Sequence, residues 1–240
     1  MYSLYRGRSH GRVVEGLSPH QFVVFLQNHD QVGNRAIGDR VVEAVGMDRA
    51  KVAAGLVLTS PFLPMIFEGE EFAASTPFQY FADHEDPEMA KAVKEGRRGE
   101  FAAFGWNPAD IPDPESGETF ERSKLKWDEV HKGRHEEMFE WYRGLIALRR
   151  GSDSLNNGEP GQTKVTFDAE KKWLVMVRGA VTVVCNLGEE RMEFENPAHL
   201  PLVMASHKKV RATKSAVLLP PDTLAILSTE KNRRAGRGPR

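Results

Sequence analysis

The chain has 240 residues, 40% of them hydrophobic and 28% charged, with a formal net charge of −1. This is the balance of a globular protein, and it offers no electrostatic attraction to nucleic acid or to an anionic membrane. One cysteine, Cys185, excludes an internal disulfide and a cysteine-rich metal site.

Residues 1–19 hold Gly, Arg and Ser without a clear period and read as a loop. They have no apolar core of the signal-peptide kind, and no apolar run reaches the length of a bilayer span; a cytoplasmic location is therefore expected. Residues 21–26 read as a strand. Residues 48–59 read as a helix capped by Asp48, with Val52, Leu56 and Thr59 at helical spacing. Residues 62–67 form a second apolar run that ends at Glu68-Gly69-Glu70-Glu71. Strand, helix, strand predicts a parallel βαβ unit. Residues 73–130 are rich in Pro, Gly and acids and read as a long loop with one short helix at 87–94; loops of that length are usually functional. Residues 135–150 predict an amphipathic helix with Met138, Trp141, Tyr142, Leu145, Ile146 and Leu148 inward, and Arg149 and Arg150 complementing its C-terminal dipole.

The pattern then changes. Short β-rich runs at 164–167, 173–177, 181–187, 191–194, 200–204, 216–219 and 223–227 are separated by turn signals, which predicts an antiparallel sandwich. A Ser/Asn/Gly/Pro segment at 151–161 marks the boundary. Cys185 lies in one of the apolar runs and is expected to be a buried, inert thiol. Residues 231–240 are basic and Gly-rich and read as a disordered tail.

The chemistry concentrates at residues 22–35. An apolar run with Val and Phe on both faces suits a buried parallel strand. It stops at Asn28-His29-Asp30, and polar groups at the carboxyl end of such a strand suit an active-site rim. The residues alone leave a plainer alternative open, in which Asp30 or Asn34 caps a helix. No Gly-rich phosphate loop, dinucleotide fingerprint or metal-ligand spacing is present, so neither cofactor nor metal is expected.

Four patches, in order, carry a resemblance. Gln27-Asn28-His29-Asp30-Gln31-Val32-Gly33-Asn34-Arg35-Ala36 resembles the fourth signature region of the α-amylase superfamily of glycoside hydrolases. Pro64-Met65-Ile66-Phe67-Glu68-Gly69-Glu70-Glu71-Phe72 is similar to its eighth barrel strand and the loop that follows. Thr76-Pro77-Phe78-Gln79-Tyr80-Phe81-Ala82-Asp83-His84 is similar to the trehalose-releasing branch of that superfamily. So is Ile111-Pro112-Asp113-Pro114 with the segment from Thr119 to Trp127.

The resemblance implies a fold that is α/β plus all-β. Residues 1–150 would be the last two β/α units of a (β/α)8 TIM barrel, and residues 151–230 a C-terminal antiparallel β-sandwich. A complete barrel takes about 250 residues, so the chain is expected to be the C-terminal portion of a longer enzyme, or one half of a split one. The implied substrate is malto-oligosyltrehalose or a related α-glucan, and the implied partner is the N-terminal barrel portion.

Retaining glycosidases set a nucleophile and an acid/base carboxyl roughly 5–5.5 Å apart. In this superfamily they follow the fourth and fifth strands, which have no counterpart here, so these residues alone are expected to be inactive. The resemblance assigns Asp30 the third carboxylate, which binds sugar hydroxyls and stabilises the oxocarbenium-like transition state. His29 would bond the same sugar, and Asp83 and His84 would reach the trehalose side of the substrate, with a solvated acidic loop as the plainer alternative. Asn28 and Arg35 are candidate substrate contacts, with a turn-holding role for Asn28 and a structural ion pair for Arg35 left open. Glu70 and Glu71 point in different directions as sequence neighbours and read as architecture. Phe78, Tyr80, Phe81, Trp106 and Trp127 supply faces for sugar stacking or for packing. Two alternatives stand beside this reading: another α-glucan-active enzyme of branching or debranching type, and a non-catalytic glycan-binding or partner-docking fragment.

Overall fold

The computed structural model describes residues 2–3, 6–9, 11, 16–159, 161–196 and 198–230; the expected tail at 231–240 lies outside the described residues. The N-terminal segment is not all loop, since β1 (Tyr2–Ser3) and β2 (Arg8–Ser9) pair antiparallel. The βαβ unit follows as β3 (Val23–Val24), α1 (His29–Gly33), α2 (Val41–Thr59) and β4 (Leu63–Pro64). β3 and β4 are parallel, with Val23 opposite Leu63. The strands are two residues each, shorter than their apolar runs, and the burial expected on both faces is not found: Val23 is 55% exposed and Leu63 44%. No other described strand pairs with either, so among the described residues the ladder stops at two strands.

α2 begins seven residues before Asp48 and is broken at Gly46, which takes φ 79° and ψ 167°. The regular stretch that the spacing predicts lies beyond this break. Its C-terminal carbonyls are capped from a distance. Arg149 Nη1 donates to Leu58 O (2.8 Å) and Ser60 O (2.7 Å), and its Nη2 to Phe62 O (2.7 Å). Arg178 Nη1 donates to Thr59 O (3.1 Å) and Ser60 O (2.6 Å), and its Nη2 to Asn157 O (2.7 Å). Arg149 is thus buried against another helix and does not sit in solvent at the end of its own. Burial and the neighbouring Arg149 charge push the Arg178 guanidinium down to about 10. Arg178→Lys keeps the charge but loses the fork that spans residues 59–60 and 157. An unpaired buried carbonyl costs about 1–3 kcal/mol, so the urea midpoint is expected to fall with an unchanged m-value.

The segment at 73–130 is not one loop with a short helix: it holds α3 (Pro87–Ala103) and α4 (Gly117–Ser123), with single turns at Pro108–Asp110 and Trp127–Glu129, and a further turn at Glu70–Phe72 precedes it. α3 starts where expected, with Asp86 accepting from Glu88 N (3.0 Å), but runs nine residues past Lys94. Gly96 and Gly99 lower its intrinsic propensity; burial of Phe101 against Ala36 and Ile111 holds the far end. α5 (Gly133–Gly151) matches the amphipathic pattern, and α6 (Asp153–Asn156) follows.

The rest is antiparallel: β5 (Thr163–Asp168), β6 (Trp173–Arg178), β7 (Val181–Asn186), β8 (Met192–Glu195), β9 (Leu202–Ala205), β10 (Arg211–Ala212), β11 (Ala216–Leu219) and β12 (Thr223–Ser228). They form a five-stranded sheet, β5-β6-β7-β12-β9, and a three-stranded sheet, β10-β11-β8. β10, only two residues long, has no periodic signal and was not foreseen. Alternate residues of β12 serve two cores, as the two-residue period of a strand requires. Leu224 and Ile226 pack with Leu58, Trp141, Leu145 and Leu148 of α2 and α5. Ala225 and Leu227 pack with Val184 of β7 and, from the second sheet, with Val217 and Leu219 of β11. α2 meets β12 at Gly55, where an added Cβ would stand 2.9 Å from Leu224 Cδ1. Cys185 is fully buried here, and burial pushes its thiol up to about 11, which makes it the inert thiol expected. No described helix is long and apolar enough to cross a membrane.

Candidate active site

β3 and β4 run parallel, so the residues after Val24 and after Pro64 leave by the same end. The first exit turns into α1, whose cap is Asn28, not Asp30 or Asn34: Asn28 Oδ1 accepts from Gln31 N at 2.8 Å. Asn34 lies at the other end and donates its backbone N–H to Asp30 O (3.0 Å). With the cap supplied by Asn28, the first turn of α1 presents His29 and Asp30 outward. Their side chains are 72% and 73% exposed, and His29 Nε2 lies 3.3 Å from Asp30 Oδ1. Arg35 does not point at them. It is forked onto Asp39, Nε to Oδ1 at 2.8 Å and Nη2 to Oδ2 at 2.5 Å, and this bond holds the Asp39 carboxyl below the usual range.

The second exit forms the floor. Gly69 (φ 80°) and Ala73 (φ 51°) bracket the Glu70–Phe72 turn in left-handed conformations. Glu70 is buried and accepts from Tyr142 Oη at 2.6 Å. Burial pushes its carboxyl up to about 7, against hydrogen bonds from Tyr142, the Phe67 backbone and Gln27. Arg40, 2% exposed, donates Nε to Thr76 O (2.7 Å) and Nη1 to Glu68 O (2.6 Å), and its guanidinium stands 5.5 Å from the Phe67 ring centre. The Gly-Glu-Glu turn is therefore a buried scaffold.

The chain then returns beneath α1. Gly38 takes φ 70°, and an added Cβ would sit 2.5 Å from Phe78 O; Phe78 N donates to Gly38 O at 2.9 Å. The α1 turn thus rests on residues 78–80. From there an aromatic row runs outward, with ring centres 5.0 Å apart for Phe67–Phe78, 5.9 Å for Phe78–Phe81 and 5.2 Å for Phe81–Phe120. Phe78, Phe81, Phe120, Leu125 and Trp127 line an open groove of about 420 Å³, with Glu68 and Lys124 as polar groups. Beside it, Phe81, Asp83, Glu115 and Phe120 line a second of about 580 Å³. Asp83 is exposed there. His84 is not free: its Nδ1 is 2.8 Å from Glu115 Oε1, and its backbone N donates to Glu115 Oε2 at 3.1 Å. Those bonds hold the Glu115 carboxyl below its ordinary range. Tyr80 lies under Arg97, while Trp106 follows α3 and lines neither groove. Among the described residues no three His, Cys, Asp or Glu side chains group to hold a metal.

No family model matches the sequence. Curated relatives do. The chain is 44% identical over 228 residues to malto-oligosyltrehalose trehalohydrolase of Rhizobium sp. (strain M-11), covering 94% of this chain and 38% of the relative. It is 43% identical over 230 residues to the protein of that name from Brevibacterium helvolum, covering 95% and 39%. A solved candidate alpha amylase from Salmonella typhimurium superposes with a TM-score of 0.80 at 33% identity, over 95% of this chain and 39% of that one. The chain belongs to the α-amylase family.

Within that family the chain spans 38% and 39% of the length of the two curated relatives. The pullulanase SAP of GBS, solved with maltotetraose, shares the fold at 13% identity and a TM-score of 0.60. The aromatic groove, with Glu68 and Lys124 at its polar positions, offers apolar contact and hydrogen bonding on one face. Sequence reasoning did not single out Glu115, Phe120 or Arg97. Phe120 stood in the Thr119–Trp127 patch without being named as a lining residue; Arg97 had its i,i+4 spacing to Phe101, but a helix ending at 94 leaves that pair out; Glu115 had no signal.

Proposed function

We propose that this chain is part of a glycoside hydrolase that cleaves the α-1,4-glucosidic bond next to the terminal trehalose of malto-oligosyltrehalose, releasing trehalose. The observation that carries the reading is the outward-facing His29–Asp30 pair on a turn whose Gly33 approaches the ring of Phe78, one of the residues lining an aromatic groove, in a chain whose matched curated relatives bear the trehalohydrolase name. Residues 1–150 are read as the end of the catalytic (β/α)8 barrel and 151–230 as a β-sandwich domain, acting together in the cytoplasm. The exposed Val23, Leu63 and Met65 support a neighbouring barrel portion that packs on this parallel pair.

Asp30 then acts as the transition-state stabiliser. As the bond to the leaving trehalose breaks, positive charge grows on the sugar ring, and an ionised carboxylate that also accepts sugar hydroxyl hydrogens binds that state more tightly than the ground state. His29 shares the contact, and Asn28 fixes the turn that presents both. Asp83 and His84, the latter braced by Glu115, lie at the trehalose side, and Arg35 with Asp39 keeps the loop rigid. The nucleophile and the acid/base come from residues other than these 240, so the isolated chain is inactive.

The test uses the polypeptide as it occurs in its source cells, supplied with malto-oligosyltrehalose or with a plain malto-oligosaccharide of equal length. Trehalose released from the first, with far slower cleavage of the second, is the expected result. Equal cleavage of both overturns the trehalose assignment in favour of a general α-glucan hydrolase.

A further inference from the structure

α1 is a five-residue helix, and the terminal carbonyls of so short a helix have no partner within it. One is taken from outside: Arg97 Nη2 donates to Gly33 O at 2.9 Å. The same guanidinium lies over two rings, 4.7 Å from the centre of Tyr80 and 5.2 Å from that of Phe101. Tyr80 belongs to the segment on which α1 rests, since an added Cβ at Gly33 would stand 3.8 Å from the Phe78 ring and 4.0 Å from Tyr80 N. Phe101 belongs to the buried end of α3. One side chain thereby ties three pieces together: α3, the 78–80 segment and the turn that carries Asp30. A guanidinium suits the task, because it stacks through its faces and donates in its plane. An ammonium provides the charge without the plane.

We propose that Arg97 is a positioning residue for Asp30, holding the α1 turn in register with the groove through Gly33 O. This rests on the reading of Asp30 as the transition-state carboxylate. Arg97 touches no substrate; its effect passes through the backbone of α1. A displacement of about 1 Å at a reacting group costs about 10²-fold in rate, and release of one end of a single-turn helix permits a shift of that size.

The experiment measures kcat, KM and Tm for trehalose release by the natural full polypeptide, with Arg97→Gln and Arg97→Lys each made alone and together with Asp30→Asn. Arg97→Gln alone is expected to lower kcat about 10²-fold while KM and Tm stay near wild type. Arg97→Lys should recover part of the loss. In the Asp30→Asn background Arg97→Gln should add little, because two residues acting through one contact are non-additive. Full kcat in Arg97→Gln, an equal loss in both backgrounds, or a loss matched by a fall in Tm overturns the role of Arg97. Wild-type kcat in Asp30→Asn alone overturns the reading of Asp30, and the Arg97 proposal with it. Collapse of Asp30→Asn with no effect at Arg97 overturns the second only.

Discussion

Asp30→Asn in the complete enzyme is expected to lower kcat for trehalose release by about 10³-fold, the scale for losing one preorganised electrostatic contact to a transition state. The amide keeps the size of the carboxylate and one acceptor oxygen, so ground-state binding should change little and KM should move far less than kcat. What disappears is the negative charge, which matters only once positive charge has developed on the ring. Stability should hold within about 0.5 kcal/mol, the range for surface substitutions free of buried partners. The side chain is 73% exposed, and the cap of its helix is made by Asn28. Steady-state kinetics and a melting curve on one preparation decide the matter; near-wild-type kcat sinks the assignment.

The second large effect belongs to Glu70 and is read as stability against pH. Its carboxyl stands at about 7 in the folded protein, raised from its ordinary value of 4.5. Desolvation is the leading cause, opposed by Tyr142, the Phe67 backbone and Gln27; Glu71 adds repulsion, and Arg40 lies nearby as the compensating cation. A raised carboxyl favours the folded state while it holds its proton. Below pH 4.5 both states are protonated. Between 4.5 and about 7 the unfolded chain sheds a proton that the folded chain keeps, so stability falls as pH rises. Above that window the penalty is complete, on the order of 3 kcal/mol. Lowered carboxyls such as those of Asp39 and Asp113 act in the opposite sense, so the difference between wild type and Glu70→Gln isolates Glu70. Glutamine still accepts from Tyr142 Oη and carries no charge. The variant should gain on wild type steadily from pH 4.5 to 7 and exceed it at pH 8. Parallel stability curves for the two proteins across that range would refute the buried-carboxyl account.

The parts of this fold that follow a period were legible in the sequence. The helix at 135–150 announced itself by its apolar face, and the strands from Thr163 to Ser228, apart from the two-residue β10, by short β-rich runs between turns. The polar, exposed turn at Asn28-His29-Asp30 was legible because polar residues interrupt an apolar run. What was hidden depends on distant partners. α3 is stabilised at its far end by Phe101, Ala36 and Ile111, which outweigh the cost of Gly96 and Gly99, and helix propensity carries no trace of that. Arg149 has the position of a dipole-compensating surface cation, yet it caps α2, whose carbonyls lie some ninety positions away. Asn28, Asp30 and Asn34 are all chemically able to cap; only the backbone of the exit decides that Asn28 does. The bracing of His84 by Glu115 likewise arises from the meeting of two loops.

The double duty of β12 bears on how such a chain is made. The faces of α2 and α5 that receive Leu224 and Ile226 emerge from the ribosome early, and the strand that covers them comes about seventy residues after the end of α5. At about 5–20 residues per second, the part of this α2–α5 surface that β12 covers waits on the order of 4–15 s for its strand. During that interval the nascent chain offers chaperones, or another nascent chain, the same apolar surface that β12 will later claim.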